Sequence, residues 1–151
     1  NIAYILSHIG DESSAEALLP LLLHENIKVR LEALKSINRT GKSKRCTLLL
    51  SVLPQVEHKF MINIIDVLGN AKCAEAEPAL VILLENNPIK DKDLRAALQE
   101  RICAALGSIG LSNSIPVLSR IVGTKSFLGI SRYPENVKAA AARALASIQR
   151  R

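Results

Sequence analysis

The stretch LGSIG, residues 106–110, recurs along the chain in recognisable variants and decides the fold. The other copies are LSHIG at 6–10, INRTG at 37–41, LGNAK at 68–72 and LASIQ at 145–149. Their last residues, 10, 41, 72, 110 and 149, are separated by 31, 31, 38 and 39 residues. A period of this length predicts stacked structural repeats, and the longer spacings predict insertions in the last two of them.

Apolar residues inside each repeat follow the spacing of helices. Eight residues after each of the first four copies stand Leu18, Leu49, Leu80 and Leu118. Pro78 and Pro116 share one position near the start of a helix, where a missing N–H is tolerated. The pattern predicts two antiparallel helices per repeat, since apolar residues recur at helical spacing. The first helices are expected at about 13–24, 44–55, 75–86 and 113–123, and the second helices near 27–39, 57–70, 92–108 and 135–149.

These helices predict an all-α fold, a right-handed α-solenoid that forms a single domain over residues 1–151. It would contain a leading half-repeat at 1–10 and four helical hairpins at about 11–41, 42–72, 73–110 and 111–149. Small residues in the repeated unit, such as Gly69 and Gly107, would let neighbouring helices approach closely. We interpret the chain as a fragment of a longer protein, because it begins without Met and its first residues already show the apolar spacing of a helix. Its half-repeat would expose Ile2, Ile5 and Ile9, which predicts self-association.

The composition narrows the class of protein. The chain is 48% hydrophobic and 3% aromatic, and it shows neither a signal peptide at its start nor an apolar run of the roughly 18 residues that a membrane span needs. Cys46, Cys73 and Cys103 form no CxxC motif, which favours reduced thiols and a cytoplasmic protein. Glycine-rich phosphate loops, HExxH and GxSxG are absent from the sequence. We therefore expect no enzyme activity and no cofactor.

The net charge of +6 lies entirely in the last quarter of the chain. Residues 1–110 contain 13 basic and 13 acidic residues, whereas residues 111–151 contain seven basic residues and one acidic residue. Such an asymmetry points to an acidic partner at that end. A nucleic acid is the alternative, although Tyr4 is the only aromatic residue expected along the inner ridge for base stacking.

Three short motifs accompany the repeat: IPVL at 115–118, VRLEA at 29–33 with its variant VKAAA at 137–141, and LGSIG at 106–110. In these motifs the chain resembles HEAT repeats, specifically the short type named after phycobilisome lyases. The resemblance covers nearly the whole chain, and the repeat around Phe60 and Met61 departs from it most. It implies an interaction scaffold whose second helices line the concave surface. A lyase-like or other enzyme accessory domain is a further alternative.

The candidate binding residues lie on this ridge and on one insertion. The ridge residues are Tyr4, Lys35, Arg39, Asn63, Asp66, Arg101 and Arg143. They are predicted to contact a protein partner, and a solvated helix face is the alternative. The stretch KSFLGISRYPE, residues 125–135, covers most of an insertion at 124–134 between the two helices of the last repeat. Its residues Lys125, Phe127, Arg132 and Tyr133 are predicted either to bind the partner or, through the two rings, to cap the end of the solenoid.

Overall fold

A computed structural model describes residues 12–41 and 43–151, and this part of the chain is helical without a β-strand. Its α-helices are α1 (Glu12–Leu18), α2 (Ile27–Thr40), α3 (Arg45–Val52), α4 (His58–Asn70), α5 (Glu77–Glu85), α6 (Lys92–Ile109), α7 (Ile115–Val122) and α8 (Glu135–Gln149). The all-α prediction is confirmed for these residues. The predicted second helices correspond to α2, α4, α6 and α8 and differ from them by no more than one residue at either end.

The predicted first helices are each a short α-helix joined to a 3-10 segment. The 3-10 segments are Leu19–Leu23, Leu53–Gln55, Ala74–Ala76 and Ser112–Ser114. Pro20 and Pro54 lie at the start of two of them. A proline ring removes an N–H and clashes with the carbonyl four residues earlier, so the α-helix gives way to a tighter turn there. The predicted bounds of the first helices are confirmed to within one residue, and their division into α and 3-10 segments was not predicted.

Side chains and one glycine define the helix ends. Asn26 accepts a hydrogen bond from the N–H of Lys28 at 2.8 Å, and Asp91 accepts one from Leu94 at 2.8 Å. Both satisfy N–H groups that a helix leaves without partners in its first turn. Gly110 ends α6 with a φ of 78°, and its N–H bonds the carbonyl of Leu106 at 2.9 Å. The final glycine of LGSIG is thus a helix stop in the left-handed conformation, which other residues adopt only with strain.

The chain divides into two compact units, residues 1–64 and 65–151. In the first unit, α1 and the 3-10 segment that follows it pack on α2. In the second unit, α5 packs on α6, and α8 packs on both α6 and α7. The predicted core residues Leu18, Leu49, Leu80 and Leu118 are fully buried. The apolar periodicity thus identified the interior, whereas the stacking of all repeats into one solenoid stays a prediction.

Two glycines mark close helix contacts in the second unit. A Cβ atom added to Gly69 would lie 2.8 Å from the Cα of Ala105, and one added to Gly107 would lie 2.8 Å from the Cα of Ala144. Both distances are shorter than any side chain tolerates against a backbone atom. The expectation that small residues in the repeated unit allow close helix approach is confirmed at these two positions.

The cysteines correct one expectation. Cys103 is a buried free thiol, whereas Cys46 and Cys73 are disulfide-bonded. The prediction of three reduced thiols is therefore wrong for two of them, which removes the argument for a cytoplasmic protein. Within residues 12–41 and 43–151, no helix combines the length and the apolar character that crossing a membrane requires.

Candidate functional site

A groove runs along α6 and contains three of the predicted ridge residues. Its main part is a cavity of about 330 Å³ between α6 and α8, lined by residues that include Arg101, Arg143 and Ser147. A smaller cavity of about 50 Å³ continues it towards α4 and is lined partly by Asp66. Both cavities share Ala104 and Ser108, whose small side chains form the floor. We call this surface the α6 groove.

The charges of the α6 groove are only partly compensated. Arg101 Nη1 lies 2.9 Å from the carboxylate of Asp66, and Glu100 accepts a hydrogen bond from the amide of Asn136 at 2.9 Å. Exposed ion pairs of this kind stabilise by no more than about 1 kcal/mol and rearrange easily. Arg143 is exposed and has no ion-pair partner among the residues that the structure describes. The groove therefore presents two charges without an ionic partner, the guanidinium of Arg143 and the carboxylate of Glu100, beside a floor of small residues.

Ser147 and Arg151 donate hydrogen bonds to carbonyls in the last turn of α6. Arg151 Nη2 donates hydrogen bonds to the carbonyls of Gly107 at 3.3 Å and Ser108 at 3.2 Å. Ser147 Oγ also donates to the carbonyl of Gly107, at 3.4 Å. These donors satisfy carbonyls in the last turn of α6 that have no helical partner. Arg151 is exposed and at the same time caps the carbonyl end of α6.

The insertion forms a small hairpin between α7 and α8. The N–H of Phe127 bonds the carbonyl of Ile130 at 2.9 Å, and the N–H of Ile130 bonds the carbonyl of Phe127 at 3.0 Å. Leu128 and Gly129 connect them with φ angles of 53° and 77°. Two consecutive positive φ angles are typical of a type I′ turn, which closes two-residue hairpins. We call residues 127–130 the hairpin tip.

The hairpin tip is apolar and exposed. The exposed fractions are 77% for Phe127, 85% for Leu128 and 75% for Ile130. Lys125, just before the tip, is exposed as well. Large apolar side chains that keep three quarters of their surface in solvent contribute little hydrophobic stabilisation to the fold. The expectation that both rings cap the repeat array is therefore wrong for Phe127.

The residues that follow the hairpin tip, 131–133, anchor it in the second unit. We call them the hairpin foot. Tyr133 is buried, and its carbonyl accepts a hydrogen bond from Ser131 Oγ at 2.8 Å. The guanidinium of Arg132 lies over the Tyr133 ring, 5.6 Å from its centroid, in a cation–π contact. The two predicted aromatic residues therefore have opposite placements, with Tyr133 in the interior and Phe127 in solvent.

The remaining predicted ridge residues lie outside the α6 groove. Lys35 and Arg39 are exposed one turn apart on α2, and Asn63 is half-buried on α4. All three belong to the first unit. Tyr4 and the apolar residues of the half-repeat, Ile2, Ile5 and Ile9, lie outside the described residues.

Two polar clefts at the hairpin foot were not predicted from the sequence. One has a volume of about 260 Å³ and is lined by Glu85, Asn87, Arg95, Gln99, Arg132 and Tyr133. The other has a volume of about 360 Å³ and is lined by Glu85, Asn86, Arg120, Thr124, Arg132 and Tyr133. Their residues come from two connections as well as from helices, so no periodic pattern unites them.

Among the described residues, Cys103 is the titratable group with a clearly shifted pKa. Burial, reinforced by the nearby carboxylate of Glu100, raises the pKa of the Cys103 thiol from 9.0 to about 12. A thiol in such surroundings stays protonated and is a weak nucleophile. Across the described part of the chain, no three His, Cys, Asp or Glu side chains cluster in a way that could hold a metal ion. Comparison of the chain with protein-family models, curated proteins and solved structures gives no match in any of the three.

Proposed function

We propose that this chain is a non-enzymatic, HEAT-type solenoid that binds a protein partner through the α6 groove and the hairpin tip. The observation that carries the proposal is the exposure of Phe127, Leu128 and Ile130 on a hairpin with an anchored foot. Exposed apolar clusters on a polar surface are typical of protein–protein contacts, where large apolar residues contribute most of the affinity.

The backbone at the hairpin tip adds support. Leu128 adopts a left-handed conformation, which is unfavourable for a residue with a Cβ atom by about 1 kcal/mol or more. Packing of the Leu128 side chain does not offset this cost, because the residue is 85% exposed. A strained, exposed and apolar turn residue is explained most simply by a contact with another molecule.

Contacts between repeats support the solenoid part of the proposal. In the second unit, side-chain hydrogen bonds join Asp66 to Arg101, Glu85 to Arg120, Glu100 to Asn136 and Glu77 to Ser114. The sequence separations of these pairs are 35, 35, 36 and 37 residues. Links at nearly constant separation are expected when each repeat contacts its neighbour in the same way.

The alternatives receive less support. Arg120 pairs with Glu85, Lys138 pairs with Glu135, and Arg151 caps α6, so part of the basic excess serves the fold. This weakens the argument for a nucleic-acid-binding repeat. An enzyme accessory role has no observation in its favour. A cytoplasmic location is not part of the proposal, because two of the cysteines are disulfide-bonded.

An affinity experiment tests the proposal. The immobilised chain is incubated with an extract of the cells that produce it, and bound polypeptides are identified with and without nuclease treatment. We expect a saturable polypeptide partner whose retention falls at least about tenfold in Phe127→Ser and Ile130→Ser, because buried aromatic and aliphatic anchors dominate interface energies. The thermal stability of both variants should match that of the wild type.

Ile82→Ser is the matched control, because Ile82 is a 62% exposed apolar residue outside both proposed surfaces. It should leave retention unchanged. Equal retention by the wild type and the hairpin variants contradicts the proposed role of the tip. Loss of all binding after nuclease treatment supports the nucleic-acid alternative, and an absorbing cofactor or pigment in the purified protein supports the enzyme alternative.

A further inference from the structure

The 260 Å³ cleft at the hairpin foot contains hydrogen-bonding groups that the fold leaves unused. Gln99, 6% exposed, lines the cleft from α6, and its amide makes no hydrogen bond to any residue that the structure describes. The amide atoms of Gln99 are open to the cleft, where a bound molecule or water can satisfy them. Such a group in the wall of a cavity points to a partner from outside the chain.

Asn87 supplies a second unused donor. Its Oδ1 accepts a hydrogen bond from the N–H of Ile89 at 3.0 Å, whereas its Nδ2 is buried and has no acceptor. The backbone contact fixes the orientation of the amide, because only the oxygen can accept from an N–H. The group that Asn87 leaves unsatisfied is therefore an N–H donor, which requires an acceptor.

The charges of the cleft favour an anionic acceptor. Arg95 and Arg132 contribute two guanidinium groups, and only one carboxylate, that of Glu85, lines the cleft with them. Glu85 is itself matched by Arg120, whose Nη1 lies 2.7 Å from Glu85 Oε1. The remaining positive charge and the amide donors suit a planar carboxylate, which accepts several hydrogen bonds in one plane.

The position of the cleft connects it to the hairpin tip. Arg132 and Tyr133 line the cleft, and Ser131 alone separates them from the tip in the chain. Thr124, on the other side of the tip, lines the neighbouring cleft, which shares Glu85, Arg132 and Tyr133. A partner segment that covers the apolar tip would thus have a polar cleft at its edge.

We propose that this cleft binds the carboxylate of an acidic side chain of the partner polypeptide. The inference rests on the proposed function for the identity of the partner, but the carboxylate site can be tested without the partner. An acidic residue next to apolar residues in the bound segment would place its carboxylate against Gln99 and Asn87 while its neighbours cover Phe127. Arg95 and Arg132 would balance the charge.

The test uses amide NMR spectra of the isotopically labelled full chain. The probe is acetyl-Ala-Glu-Ala-amide, and acetyl-Ala-Gln-Ala-amide, acetyl-Ala-Ala-Ala with a free carboxyl group and inorganic phosphate are compared with it. We expect saturable shifts of the Asn87 and Gln99 side-chain amides with the Glu peptide. The Gln peptide should bind at least about tenfold more weakly, because it lacks the charge that strengthens the hydrogen bonds.

Two variants test the donors separately. Asn87→Asp keeps the oxygen that accepts from Ile89 and removes the donor, and Gln99→Met keeps the length of the side chain and removes the amide. Either should weaken binding of the Glu peptide at least about tenfold, as expected for a lost charge-assisted hydrogen bond. Arg150→Ala removes a guanidinium outside the cleft and should leave binding unchanged. If one variant fails to fold, the other still tests whether the cleft binds the carboxylate.

The outcomes separate this inference from the proposed function. Absence of shifts with all probes, equal binding of the Glu and Gln peptides, or tighter binding of phosphate overturns the carboxylate site. Tighter binding of the peptide with the free carboxyl group overturns the acidic side chain as its source. Phe127→Ser tests the proposed function alone and should not change binding of the short Glu peptide, because the tip is not part of the cleft.

Discussion

Gly107 illustrates how one residue sets the distance between two helices. A Cβ atom there would lie 2.8 Å from the Cα of Ala144, so Gly107→Ala requires α6 and α8 to move apart. Overpacking of this kind lowers stability by about 1–3 kcal/mol, and the better helix propensity of alanine offsets up to about 1 kcal/mol. We expect a net loss of about 1–2 kcal/mol in the free energy of unfolding, measured by urea denaturation.

Ser108→Ala is the control for this prediction. It introduces the same residue into the same helix at the next position, where the side chain is only half-buried. Its stability should remain close to that of the wild type. A similar loss in both variants, or no loss in Gly107→Ala, contradicts the close contact between α6 and α8.

The raised pKa of the Cys103 thiol predicts that the free energy of unfolding depends on pH. Its pKa is raised to about 12 in the folded chain, whereas an exposed thiol has a value of 9.0. Below pH 9.0 both states keep the proton, and the contribution of the protonated thiol to stability is fully present. Between the two values only the unfolded state ionises, so this contribution decreases as the pH rises and is lost once it passes about 12.

The size of this effect follows from the separation of the two pKa values. At pH 10 the wild type should have lost about 1 kcal/mol of stability through Cys103. Because other groups also titrate in this range, the measurement compares urea unfolding of the wild type and Cys103→Ala at pH 8 and pH 10. The variant should lose less stability than the wild type. Equal losses contradict the raised pKa.

At the scale of elements, the hairpin tip combines strain with exposure. Leu128 has a φ of 53°, which asparagine tolerates far better, and Asn-Gly is a favoured pair for a type I′ turn. Leu128→Asn should therefore raise the free energy of unfolding by about 0.5–1 kcal/mol, since no buried contact is lost. The same variant should weaken partner binding if the tip forms the contact.

Ser126→Asn is the control, since Ser126 is exposed in the same loop and does not have a positive φ. It should leave the stability unchanged. If Leu128→Asn gives no increase in stability, the turn is not held in the left-handed conformation. Chemical denaturation monitored by circular dichroism measures both variants.

The helices were predictable from the sequence because local signals set their ends. Asn26 and Asp91 are side chains that accept hydrogen bonds from first-turn N–H groups, and Gly110 stops α6. The 3-10 segments were not predicted, since Leu19–Leu23 continues the apolar pattern of the preceding α-helix. The change from α-helix to 3-10 helix there depends on Pro20, whose ring constrains the backbone and removes an N–H donor.

The candidate site was predictable only where it lies on helices. Arg101 on α6 and Arg143 on α8 line the same cavity of the α6 groove. The insertion has no period, so its position between α7 and α8 could be predicted but not its conformation. Nothing in the sequence distinguishes Phe127, which is exposed, from Tyr133, which is buried, because that difference depends on the type I′ turn and on contacts at the foot.

At the scale of the whole molecule, burial within the second unit is uneven. The centre of α6 contributes Leu98, Ile102 and Leu106, which are fully buried, and the helix packs on both α5 and α8. The hairpin tip has only the two reciprocal backbone hydrogen bonds between Phe127 and Ile130. Local opening is expected where few apolar contacts oppose it, so the two regions should differ in stability.

Hydrogen exchange measures this difference along the whole chain. We expect amides in the centre of α6 to exchange at least about a thousandfold more slowly than those of the hairpin tip, because α6 opens only with the unit that it supports. The Gly107→Ala variant should accelerate exchange in α6 and α8 and leave the tip unchanged. Uniform exchange along the chain would contradict a packed second unit, and strong protection of Phe127 and Ile130 would mean that the tip is covered in the isolated protein. Protection that appears at the tip only after the partner is added would place the contact on Phe127, Leu128 and Ile130, as the proposed function requires.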